Sequence, residues 1–328
     1  MAALRSRPTD ASFCAQRFLL VAVWIAIVSP CFAGEAPKQP QIAGPWWHIA
    51  GDPDLGELNS PKQQPVDFGI WQAADGSWQL WSCIRGTREA GKTRLFYRWE
   101  GAKLSDPNWK PIGIAMRADP RAGEQEGGLQ APFVFRADGQ FVMFYGGWND
   151  ICSADSVDGK TFTRRLNAQG KSTLFGAPTG NTRDPMVLRI GDLWHCYYTA
   201  HPQNQGADYC RTSHDLRIWS DPKIVAKGGQ AGSGPSSAEC PFVVELEPGN
   251  FYLFRTQTYG KNARCSVYFS RDPLDFGVDH DEGHFVCTLP IAAPEIIRHE
   301  GQYYIAALLP SLKGIQIARL QWTQPPER

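Results

Sequence analysis

Residues 183–200 read RDPMVLRIGDLWHCYYTA. A short apolar run, Met186 to Leu188, leads into a Gly191-Asp192 turn, and an aromatic-rich run comes next, ending at Tyr198. Each half has strand composition, and a glycine turn between two such runs is a hairpin signal. The same form occurs in four other places: VDFGIWQAADGSWQLWS from Val66, QAPFVFRADGQFVMFYGG from Gln130, ECPFVVELEPGNFYLFRT from Glu239 and AAPEIIRHEGQYYIAALL from Ala292. Four of the five copies align a proline, at Pro132, Pro185, Pro241 and Pro294, spaced 53, 56 and 53 residues apart. The first copy has Phe68 there, 64 residues before Pro132.

The repeat extends beyond the hairpins. A third strand ends in a Ser/Asp turn at Ser156-Val157-Asp158-Gly159, Ser213-His214-Asp215 and Ser270-Arg271-Asp272, and a late aromatic comes next: Phe162, Trp219 and Phe276. Four strands per unit of roughly 50 residues, repeated radially, describe a β-propeller. The expected fold is therefore all-β, a five-bladed β-propeller with four antiparallel strands per blade. The last copy leaves room only for a third strand, Gly314 to Trp322, so a stretch near Trp46 to Ile49 is expected to close the ring. A solenoid is disfavoured by the short turns and the lack of capping segments.

Composition agrees. Lys+Arg 33 against Asp+Glu 33 leaves no basic surplus for phosphate contacts, so a nucleic-acid partner is not expected. At 20% charged and 42% hydrophobic, the chain is not a disordered one. Arg5, Arg7 and Arg17 precede an 11-residue apolar run, Phe18 to Val28, and small residues up to Ala33. That is the pattern of a signal peptide over residues 1–33, and the run is too short for the roughly 20 residues of a membrane span. A secreted or periplasmic location, no membrane attachment after cleavage and a monomer are expected, with 34–328 as the propeller. Seven cysteines remain beyond the leader. Cys196 and Cys210 are placed to face each other across a hairpin, and no cluster has zinc spacing.

First strands of propeller blades line the axis, so their first residues meet at one mouth. The residue before the proline position is Asp67, Ala131, Asp184, Cys240 and Ala293 in the five blades, and Glu239 sits one residue earlier in the fourth. Three carboxylates thus converge from blades one, three and four. Buried like charges are costly unless they have a partner or a task. Second strands return to the same mouth, and their following loops carry Arg85, Trp148 with Asn149, His201, and Gln257 with Tyr259. Arg183, Trp148, Arg85, His201 and Gln257 are the candidate substrate-binding residues. Arg183 is suited to orient Asp184 or to bind a hydroxyl, and Trp148 to stack on a sugar face.

Arg183-Asp184-Pro185, Glu239-Cys240-Pro241 and the aspartate in the first strand of blade one resemble the five-bladed β-propeller glycoside hydrolases, namely the invertase/levanase-like β-fructosidases and the arabinanase/β-xylosidase-like enzymes. The resemblance implies a carbohydrate substrate and three catalytic residues. Asp67 would be nucleophile or base, Asp184 the transition-state stabiliser and Glu239 the general acid. Invertase-like enzymes begin with Asn-Asp-Pro-Asn-Gly, whereas this chain has Val66-Asp67-Phe68-Gly69. The chemistry needs all three, because glycoside cleavage passes through an oxocarbenium-like cation and needs a proton for the leaving oxygen. Burial beside the other carboxylates is the expected means of keeping that proton on Glu239. No cofactor is expected, a structural calcium being the one ion left open. The alternatives are a non-catalytic carbohydrate-binding propeller, a mannoside phosphorylase-like enzyme and a sialidase-like enzyme. The last lacks its Asp-x-Gly spacing and its arginine triad.

Overall fold

The computed structural model describes residues 36–176 and 181–325; the expected leader, residues 1–33, lies outside them. Five antiparallel sheets succeed one another around an axis. From the axis outwards, blade one comprises Gln64–Gln72, Trp78–Arg85, Leu95–Gly101 and Lys110–Met116. Blade two comprises Gln130–Ala137, Gln140–Gly146, Asp150–Ser156 and Thr173–Gly176; blade three comprises Arg183–Ile190, Leu193–Ala200, Ala207–Ser213 and Lys223–Gly228. Blade four comprises Glu239–Glu247, Asn250–Thr258, Arg264–Ser270 and Phe285–Leu289.

Blade five borrows its edge. Glu295–His299, Gln302–Leu308 and Gly314–Thr323 come from the end of the chain, and the outer strand is Gln39–Gly51 from its beginning. This closing strand is longer than the four residues expected from sequence. It runs from Gln39↔Thr323 to Gly51↔Gly314, with irregularities between Ala43 and Trp47 and between His48 and Ala50. Closure removes a free sheet edge at each chain end, where unpaired N–H and C=O groups would invite association.

Two blades exceed four strands. Thr163–Arg164 adds a short rung to blade two, and Val278–Asp279, from the third-to-fourth-strand connection of blade four, pairs in parallel with the outer strand of blade three. The connection thereby covers an edge that would otherwise be open.

The late aromatics explain why neighbouring blades hold together. Phe162 of blade two packs against Trp71 and Trp81 of blade one, with ring centroids 5.9 and 5.3 Å apart. Trp219 of blade three lies 5.7 Å from Phe144 and 5.3 Å from Phe175 of blade two. Phe276 of blade four, fully buried, meets Tyr197 of blade three, whose hydroxyl donates to the Pro273 carbonyl at 2.9 Å. Each wedge fills the seam with the preceding blade. Such pairs contribute about 0.5–1.5 kcal/mol each beyond the area they bury. The Ser/Asp turns position them: Ser156 Oγ donates to Asp158 Oδ1 at 2.8 Å, and Ser213 Oγ to Asp215 Oδ1 at 3.1 Å.

The expected apposition of Cys196 and Cys210 is not found. Cys196 opposes Arg211 and Cys210 opposes Tyr197, a one-residue offset that sends the two thiols to opposite faces of the sheet. All seven described cysteines are free thiols.

Near the axis the inner strands approach closely. A Cβ on Gly69 would lie 2.4 Å from the carbonyl oxygen of Pro132 in blade two. Gly69→Ala should therefore force blades one and two apart and lower stability by about 1–3 kcal/mol, measured by urea denaturation. An unchanged midpoint would show that the seam can yield there.

Candidate active site

The bottom of the site is built from one repeated backbone device. Asp67, Ala131, Asp184, Cys240 and Ala293 all adopt left-handed backbone, with φ of 38°, 42°, 55°, 50° and 50°. In blades one to four the pairing register slips across this residue, the signature of a β-bulge. A left-handed non-glycine residue costs about 1–2 kcal/mol, and here five occur in a ring. The bulge re-aims each side chain, and all five residues line a single axial cavity of about 20 Å³. That volume suits one water molecule. Anything larger must therefore lie above it, in the open mouth.

Of the three carboxylates expected from sequence, Asp67 and Asp184 line this cavity. Carboxylate oxygens of Asp67 and Asp184 and the Cys240 sulfur lie within 4.8 Å of one another. Glu239, one residue before the bulge of blade four, is tied to the pair through Arg183. The Arg183 guanidinium donates to Glu239 Oε1 at 2.6 Å and lies 3.7 Å from Asp184 Oδ2. Arg183 and Glu239 hold equivalent positions in adjacent blades, which is why they can pair. Glu239 is thus not surrounded by carboxylates alone but is held by a guanidinium.

Asp184 is almost completely buried, at 5% exposure. Its Oδ2 accepts the Cys240 backbone N–H at 3.1 Å, and its Oδ1 has no hydrogen-bond partner. Burial, with the nearby Asp67 carboxylate next in weight, raises its pKa to about 7 despite Arg183. Asp67 is also pushed up, first by burial and then by Glu239, against the attraction of Arg94 and Arg85. The Cys240 thiol donates to Asp67 Oδ1 at 3.5 Å and meets the Tyr259 hydroxyl at 3.4 Å. Burial drives the pKa of both Cys240 and Tyr259 well above the usual, so both are neutral donors. This donor set is a poor match to calcium, which takes six to eight oxygens.

The remaining sequence candidates separate. His201 Nδ1 lies 3.5 Å from Arg183 Nη1, with burial lowering its pKa. The neutral imidazole thus stands on the rim beside Glu239. Gln257 is buried, and its amide donates to the Gln230 carbonyl at 3.1 Å. Arg85 is partly exposed and donates from Nε to Gln64 at 3.0 Å. Trp148 stands at the mouth on strained backbone, φ 89°, with Lys92 Nζ 4.7 Å and the Arg94 guanidinium 5.2 Å from its ring centroid.

Sequence reasoning missed three groups, one of them Glu295, which also lines the axial cavity and whose carboxyl burial pushes well above the usual range. Arg94 immediately precedes the third strand of blade one, at the far end of the loop after the second strand, and reading that end of the loop would have found it. Asp208 and Arg255 form a fully buried pair between blades three and four, with Nε to Oδ2 at 3.7 Å. Burial raises the pKa of Asp208 to about 7, and the charges of Arg183 and Glu239 are both felt there. No local pattern marks that pair, because its members lie in different blades.

No protein-family profile matches the sequence, and no curated protein matches it. Solved structures do match. A thermostable family-43 glycoside hydrolase superposes with a TM-score of 0.57 at 16% identity, over 83% of this chain and 98% of that one. A family-43 enzyme from Xanthomonas citri, solved with xylotriose, gives 0.57 at 14% identity over 83% and 90%. A family-32 β-fructofuranosidase from Bombyx mori, solved with sucrose, gives 0.57 at 16% identity over 84% of this chain and 62% of that one.

The raised Asp184 pKa has a sign that can be checked. The folded chain holds a proton that the unfolded chain, near the ordinary 3.8, has already lost. Stability is therefore lost as pH rises from about 4 through about 7. Asp184→Asn should remove that loss, improving stability relative to wild type by about 2–3 kcal/mol more at pH 8 than at pH 5. Paired denaturation curves at the two pH values decide it, and parallel curves would place the Asp184 pKa near the ordinary value.

Proposed function

With the fold of these propellers as the premise, we propose that the chain is a glycoside hydrolase acting on an oligo- or polysaccharide at the axial mouth. The supporting observation is the convergence of Asp67, Asp184 and Glu239 from three blades, with Asp67 and Asp184 within 4.8 Å and Glu239 joined to them through Arg183. A purely structural cluster would avoid stacking two aspartates over a one-water cavity. It would gain nothing from two carboxyls raised by burial.

In this reading Asp67 is nucleophile or base. Asp184, whose buried Oδ1 has no partner, supplies negative charge next to the developing oxocarbenium ion. Glu239 protonates the departing oxygen once substrate has drawn its carboxyl away from Arg183, which stays near Asp184. Cys240 keeps Asp67 in place through its S–H. His201 and Arg183 lie where sugar hydroxyls would reach them. Export through residues 1–33 to the secreted or periplasmic space, and then action as a monomer, belongs to the same proposal.

Glu239→Gln keeps shape and removes the proton. Turnover of a natural glycoside should fall by about 10²–10⁴, whereas an aryl glycoside with a good leaving group should lose far less in its bond-breaking step. Asp184→Asn should slow both substrates, because the cation is common to both. Equal losses on both substrates for Glu239→Gln, with folding intact, would remove Glu239 from the acid role and favour a binding module.

The pH dependence is a separate expectation. Asp67 and Asp184 act as anions, and their pKa values are raised, that of Asp184 to about 7. Activity should thus decline as pH falls through about 7, since protonation removes the charge. A kcat/KM profile that stays flat down to pH 5 would contradict it.

A further inference from the structure

The blade-one side of the mouth carries positive charge that acts on the three carboxylates only through space and forms no ion pair with them. Arg85, Lys92 and Arg94 come from the ends of one loop, between the second and third strands of blade one. Among the described residues, none of the three lies within 4 Å of an acidic side chain, in contrast to Arg117, Arg164, Arg165 and Arg183. The contrast with Arg183 is informative, because Arg183 shows what a neutralising arginine does here: it contacts Glu239 at 2.6 Å. Arg94 attracts Asp67 only through space, and its contact from Nη1 is to the Cys83 sulfur at 4.0 Å. Arg85 has its Nε on Gln64, which leaves the rest of its fork for another acceptor. Glu126, whose carbonyl accepts the Lys92 N–H, forms no ion pair with the three.

Trp148 completes this wall. Lys92 and Arg94 both approach its ring, and its backbone is kept at φ 89°, a conformation costing about 1–3 kcal/mol for a non-glycine residue. Such strain is retained where it serves a site. The net charge of the chain is zero, so the wall is a local feature rather than the expression of a basic protein. Planar arginine forks match carboxylate and sulfate oxygens bidentately, and the hydroxyls of a neutral sugar would leave their charge without a counter-charge.

We propose that Arg85, Lys92, Arg94 and Trp148 form a subsite for an anionic sugar, one bearing a carboxylate or a sulfate ester, next to the three carboxylates. This deepens the hydrolase reading and rests on it for the placement of the bond to be cleaved. The charge of the substrate, not only its ring shape, then selects what enters the mouth.

Calorimetric titration of the full chain with two matched pairs tests it: oligogalacturonides against their methyl esters, and sulfated galactan oligosaccharides against their desulfated forms. The expected result is at least tenfold tighter binding of the anionic member of one pair at 50 mM salt, which also identifies carboxylate or sulfate as the group read. That ratio should shrink at 300 mM salt and should fall at least fivefold in Arg94→Gln and in the exposed Lys92→Gln. No preference in either pair, or a preference untouched by both substitutions, would overturn the subsite. Chromatography of the same mixtures reports cleavage independently. Anionic preference without cleavage would keep the subsite and remove the hydrolase, whereas cleavage of neutral members without preference would do the reverse.

Discussion

At the entry to each innermost strand a non-glycine residue is held in left-handed backbone, and the rest of the site depends on that constraint. The bulge breaks strand alternation at one point, so a residue that would have lain in the plane between blades looks into the axis instead. Five such residues share the narrow end of the propeller. Ala131 and Ala293 fill their share with a methyl group, and the space so left admits Asp67, Asp184 and Cys240. The cost of about 1–2 kcal/mol per bulge is offset elsewhere, chiefly by the aromatic seams that hold the blades in register.

Crowding two carboxylates at the narrow end has an electrostatic consequence. Neither Asp67 nor Asp184 titrates normally, and Arg183 cannot neutralise both together with Glu239. The arrangement is less stable at neutral pH than an uncharged one would be. Such a disfavoured ground state is the usual mark of a functional site. Cys240 and Tyr259 add hydrogen-bond donors without adding charge, which keeps the balance poised.

A good share of this was legible in the chain. The proline position marked where each inner strand begins, and the residue before it proved to be left-handed in all five blades, at a register slip in four. Asp67 and Asp184 were placed at the axis by that alignment because a repeat makes distant residues equivalent. Repetition also located the closing strand, although only its central four residues stood out; Gln39 to Gly44 has no apolar alternation that separates it from a loop. Arg94 was overlooked because it lies at the far end of a loop, outside the hairpins that were aligned. Arg183 was noticed, but its choice of Glu239 over Asp184 as closest partner was not, since sequence adjacency suggested the opposite.

By itself the sequence determined the blade number, the strand order within each blade and the five residues, one per blade, that turn into the axial cavity. These come from periodic burial and turn chemistry, which are local properties repeated along the chain. Only the tertiary structure decided which charges touch. Pairing of Arg183 with Glu239, the isolation of Arg94, the buried Asp208–Arg255 pair and the opposite facing of Cys196 and Cys210 all depend on inter-strand register and on the angle between neighbouring blades. A one-residue offset or a bulge reverses such contacts while leaving the pattern of apolar and polar residues unchanged.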